Sequence, residues 1–142
     1  MNDRLLGMLG LMKRSGSLET GFDRASEALK AGKVKLFILP TDAPERVRRN
    51  AETLLQGRNA ELITAPYSRS ELAAAVGTED CTCGAVTDIG FAGAFLKALN
   101  EKYPDRYAAE LERVKLRQEK VIRRKAEKPG PGRKSKKKKG DT

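Results

Sequence analysis

Positive charge is the chemistry this sequence offers most plainly. Of its 29 lysines and arginines, 15 lie in residues 104–142 beside only 6 carboxylates, a net of +9, whereas residues 1–103 hold 14 against 13, a net of +1. A nearly neutral body therefore carries a polycationic end, and Arg133, Lys134, Lys136, Lys137, Lys138 and Lys139 crowd together near its close. Such a cluster attracts polyanions by releasing their condensed counterions, which points to RNA, DNA or an anionic membrane surface.

Catalytic chemistry has little to work with. The chain has no histidine, so it lacks a Ser–His or Cys–His pair, a histidine zinc site and the usual proton shuttle near neutral pH. Cys81 and Cys83 could hold a soft metal only with ligands from elsewhere, and there is no other Cys or His to supply them. They read as reduced thiols pointing the same way from one strand. Asp23, Asp42, Glu45 and Glu71 stand where helices begin, and capping explains them without an active site. The run GPGRKSKKKK lacks the GxxxxGK[ST] spacing of a phosphate loop and reads as a basic linker. The expectation is a binding protein rather than an enzyme, with no metal and no cofactor.

The elements that must position any binding site alternate between helical and strand periodicity, as in a layered α/β domain. At 142 residues and 39% hydrophobic, the chain suits one modest core. It has no apolar run of membrane-spanning length and no signal-peptide pattern at its start, so a cytosolic protein is expected. Leu5, Leu6, Met8, Leu9 and Met12 mark a first helix closed by Gly16, followed by a short extended piece over residues 17–19. Thr20 is placed to cap a second helix that stops at Gly32. VKLFIL, residues 34–39, reads as a doubly covered strand before Pro40. Asp42 and Glu45 have capping-box spacing for a third helix through Val47, Ala51, Leu54 and Leu55, with Arg46, Arg48 and Arg49 outward.

Residues 61–64 form the next expected strand, Ser68 and Glu71 cap a helix ending at Gly77, and residues 83–87 make a further strand. Phe91, Phe95, Leu96 and Leu99 close the body with a helix ending near Tyr103. Residues 104–127 read as a charged, solvent-exposed helix with one thin apolar stripe of Tyr107, Leu111, Val114, Gln118 and Val121. From Lys128 onward there is too little apolar surface to offset ordering entropy, and a disordered Lys-rich tail is expected over residues 128–142.

Five colinear blocks carry a family resemblance: LLGMLGLMKRSGSLETG, a helix, AGKVKLFILPTDAPERVRR, SRSELAAAVG and GAVTDIGFAGAFLKAL. Over about residues 4–100 they resemble the bacterial YlxQ-like members of the ribosomal protein L-seven-Ae family, whose members bind kink-turn RNA. The resemblance implies a three-layer α/β/α fold with a four-stranded mixed sheet over residues 1–103. It also implies RNA, on or near the ribosome, as the partner of a monomer without membrane contact. The family's RNA contacts match Gly21, Phe22, Asp23 and Arg24 at the start of the second helix, and Val76, Gly77, Thr78, Glu79, Asp80 and Cys81 in a loop before the last core strand. Thr41 and Asp42 match positions beside the site, and Lys30 and Lys33 are cations of the same helix and the turn after it. Asp23 and Arg24 stand where the family's kink-turn readers usually have Asn and Glu, and Glu27 stands where they have Lys. A protein-interaction adaptor on the same fold is the alternative, and these acidic replacements speak for it.

Overall fold

Four consecutive apolar side chains, Leu36, Phe37, Ile38 and Leu39, are each at most 1% exposed, which requires cover on both faces of their strand. The computed structural model, which describes residues 3–127, supplies that cover with helices on either side. In chain order the elements are α1 (Arg4–Arg14), β1 (Leu18–Thr20), α2 (Phe22–Lys30), β2 (Leu36–Leu39) and α3 (Glu45–Leu55). They continue as β3 (Glu61–Thr64), α4 (Arg69–Val76), β4 (Gly84–Val86), α5 (Ile89–Lys102) and α6 (Ala108–Glu127).

The four strands form one mixed sheet in the order β1-β4-β2-β3. β2 and β3 are parallel, while β4 runs antiparallel to both β1 and β2. Because successive side chains point to opposite faces, Leu36 and Ile38 join a core with Leu9, Met12, Phe95, Leu96 and Leu99, whereas Phe37 and Leu39 join Ala25, Leu29, Val47 and Ala51. One face thus carries α1, α4, α5 and α6, the other α2 and α3, giving the α/β sandwich with a four-stranded mixed sheet.

Several local expectations change. Thr20 does not cap α2: it ends β1, paired with Gly84, and the cap position is taken by Gly21. Asp42 and Glu45 form no capping box, because α3 starts after Pro44 without a side-chain cap. Asp42 instead accepts from the Arg69 N–H at 2.8 Å, capping the first turn of α4 across the loops. Ser68 and Glu71 do form their reciprocal box, at 3.1 and 2.8 Å.

The cysteines do not share a face. Residues 81–83 lie before the strand, so Cys81 turns into the first core and Cys83 into the second, both as buried free thiols.

The segment after residue 104 departs most from the sequence reading. Tyr107, Leu111 and Val114 are 4%, 8% and 0% exposed and belong to the larger core, so the first half of α6 is docked rather than solvated. Tyr107 donates its hydroxyl to the Thr64 carbonyl at 2.9 Å. Buried Glu61 of β3 receives Arg113 Nη2 and Arg117 Nη2, each at 2.8 Å. Leu116 and Ile122 remain exposed at 50% and 62%. The disorder expected for residues 128–142 lies outside the described residues.

Candidate nucleic-acid interface

Strand register decides which loops meet. Thr20 and Ile38 both pair with Gly84, and Leu39 pairs with Thr64. The junction into α2, the β2–α3 loop, the β3–α4 loop and the α4–β4 loop therefore all emerge at one end of the sheet. Gly21, Phe22, Asp23, Thr41, Asp42 and residues 76–81, separated by up to sixty positions in sequence, gather there.

At the α2 junction, Gly21 adopts φ 89° and ψ 148°, a conformation open essentially to glycine alone. That turn lets the Gly21 N–H reach the Cys83 carbonyl at 3.1 Å while the chain swings at once into the helix. Gly21 has no side chain to cap with, which leaves the first-turn N–H groups, at the positive end of the helix dipole, without a cap from that residue. Phe22 leans on the core shared by α2 and α3, whereas Asp23 and Arg24 are exposed.

The α4–β4 loop is pinned from within. Gly77 is left-handed, the Gly77 and Thr78 N–H groups both donate to the Ala73 carbonyl, and Thr78 Oγ1 donates to the Asp80 carbonyl at 3.0 Å. Arg69 grips Asp80 with two donors, Nε at 3.0 Å and Nη2, and this pairing holds the Asp80 carboxyl below the ordinary carboxylate range. Since the Arg69 N–H also goes to Asp42, one residue ties together three of the four loops. Val76 and Cys81 face inward at 8% and 3% exposure, so Gly77, Thr78 and Glu79 form the accessible crest. Thr41 is fixed by donating its N–H to the Tyr67 carbonyl at 2.8 Å.

Not every candidate reaches this end. Arg24 lines a groove along the β1 edge with Glu19, Glu27 and Lys33, which places two cations against two carboxylates. Lys30, in the last turn of α2, and Lys33 beyond it lie about one helix length, roughly 13 Å, from Gly21. Arg133, Lys134, Lys136, Lys137, Lys138 and Lys139 fall outside the described residues.

Two cations at the site were missed from sequence. Lys13 reaches Thr20 Oγ1 at 3.1 Å from the last turn of α1, and Arg69 organises the loops. Lys13 carried no signal, since its position depends on how α1 lies across the sheet. For Arg69 the signal was its place one residue after the Ser68 cap. Among the described residues no group of His, Cys, Asp and Glu could hold a metal ion, and no helix is long and apolar enough to cross a membrane.

No protein-family model matches this chain, and no curated protein does. Solved structures do. A protein of unknown function from Bacillus halodurans is 24% identical over 70% of this chain and 99% of its own, with a TM-score of 0.64. The 15.5 kD RNA binding protein of Giardia lamblia is 14% identical over 71% of this chain and 92% of its own, with a TM-score of 0.58. At these identities the likeness establishes a shared fold.

Proposed function

We propose that this protein binds folded RNA through the loop end of its sheet, as a ribosome-associated, YlxQ-like member of the L-seven-Ae family. The observation that carries this reading is the register-driven convergence of the α2 N-terminus, residues 41–42 and the crest at residues 77–79. The likeness in fold to an RNA binding protein supports it.

The α2 N-terminus offers N–H donors and a partial positive charge to a phosphate, with Lys13 beside it. The Gly77–Thr78 crest is small enough to lie against an extruded base of a kinked internal loop. Arg69 compensates Asp80, so the loop is less repulsive to RNA than its composition suggests. Residues 128–142, with seven Lys and Arg against one Asp, add affinity without sequence preference. The adaptor reading keeps one observation in its favour, the exposed carboxylates of Asp23, Glu27 and Glu79.

Filter binding of the full chain to a kink-turn RNA and to a straight duplex of equal length tests the reading. The kink-turn is expected to bind more tightly, and Thr78→Glu, which adds a like charge at the crest, should remove about tenfold of that affinity while sparing the duplex. Equal loss on both RNAs, or none, contradicts it, and capture of protein partners that survives nuclease would favour the adaptor.

A further inference from the structure

The end of the sheet remote from those loops carries a charge arrangement of its own. Lys35 enters β2 there, donating its N–H to the Val86 carbonyl at 2.7 Å and accepting from the Glu61 N–H at 3.2 Å. α6 starts beside Thr64 at the loop end, passes Glu61 at Arg113 and Arg117, and carries on beyond the sheet. Between its later turns and the start of β2 lies a cleft of about 270 Å³ lined by Lys35, Asn59, Ile89, Arg117, Lys120 and Val121.

No carboxylate lines that cleft, in contrast to the groove at the β1 edge, where Glu19 and Glu27 balance Arg24 and Lys33. Glu61, which Arg117 contacts, is taken by two guanidinium groups, a net of one positive charge for the three side chains. Asp88, at the start of α5, is turned to the Phe91 N–H at 2.8 Å. Among the described residues Lys35 and Lys120 make no ion pair, and Arg117 Nη1 is buried without an acceptor. Two unpaired lysines beside the Glu61-bound Arg117, one amide and two aliphatic walls suit a phosphodiester strand whose sugar and base edge rest on Ile89 and Val121.

The geometry points to a second RNA-contacting surface: the cleft between Lys35, Arg117 and Lys120 grips the backbone of an RNA segment other than the one held at the loops. This rests on the reading above only for the partner's being RNA. Because the two surfaces lie at opposite ends of the sheet, the protein bridges two RNA segments.

A two-step capture experiment with the full chain tests the inference. Kink-turn RNA is immobilised, loaded with protein and offered a labelled straight duplex RNA. The Lys35→Gln/Lys120→Gln pair should cut capture of the duplex by about tenfold and lower the steepness of its salt dependence by about two, one for each lost phosphate contact. The charge-matched pair Lys97→Gln/Lys115→Gln, on exposed positions away from the cleft, should leave both near the parent values. Equal effects of the two pairs, or a parent chain that captures no duplex, overturn the inference. Should the immobilised kink-turn RNA fail to retain the parent chain, the loop-end reading falls. Direct titration of the duplex with the same two pairs then still decides the cleft.

Discussion

Gly21 sets where the first turn of α2 points, and its φ of 89° with ψ of 148° is a conformation that side chains other than glycine's strain to adopt. An added Cβ would meet nothing within 4 Å, so Gly21→Ala isolates the backbone term. It should cost about 1–3 kcal/mol in a urea melt and weaken RNA binding in parallel. Tyr67 and Asp3, joined at 2.9 Å, predict a pH effect. Burial alone would raise the Asp3 pKa, but the Tyr67 hydroxyl, the Leu5 N–H and Lys102 overcome it and hold the group below its ordinary value. A depressed carboxylate stabilises the fold fully above its unfolded pKa of about 3.9, and that contribution drains away as pH falls through the folded value. Tyr67→Phe should therefore cost about 1–2 kcal/mol at neutral pH, a gap that narrows in melts below about pH 4. Burial pushes the Cys83 thiol up to about 12, so alkylation of the folded protein at mildly basic pH should be slow there. The one-residue spacing pointed to unpaired thiols, as found, but also to a shared direction, which the two cores contradict. Period-two alternation holds only within a strand, and residues 81–83 precede one.

At the scale of elements, hydrophobic patterning made the helices of the body and β2, β3 and β4 legible, because each helix buries one face and β2 buries both, whereas β1 showed only as a short extended piece. Residues 61–64 and the Ser68–Glu71 box appear where their patterns place them. Capping of α2 and α3 was not legible, since Asp42 serves a helix 27 residues away once the loops converge. The docking of α6 was hidden for a similar reason. Three apolar residues amid dense charge give a weak stripe, and their burial depends on the groove that α5 and β3 provide. Leu111→Ala should cost about 2–4 kcal/mol. Glu61→Ala should cost about 2–3 kcal/mol by stranding Arg113 and Arg117, with far-ultraviolet dichroism reporting partial release of α6. α1 approaches α4 so closely at Gly10 that a Cβ there would stand 2.8 Å from the Ala75 carbonyl oxygen. Gly10→Ala should therefore lower stability by about 1–3 kcal/mol and loosen the loop that α4 feeds.

For the whole molecule, the contrast between a nearly neutral body and a cationic end was readable from charge counts alone. The convergence of four loops was not, because it follows from pairings between distant strands. If about eight cations of the C-terminal extension contact RNA, log affinity should fall against log salt with a slope of roughly −6, and removing residues 128–142 should make it much shallower. The same removal leaves α6 and its core contacts in place, whereas a cut at residue 103 would strip Tyr107, Leu111 and Val114 from the core. The central claim is that the body, not the tail, recognises RNA shape. It is tested most directly by the affinity ratio of the chain ending at residue 127 for a kink-turn RNA over a straight duplex of the same composition. A ratio of about ten or more, abolished by Thr78→Glu, is the expected result. A ratio of one, with the fold intact by thermal melting, would contradict it.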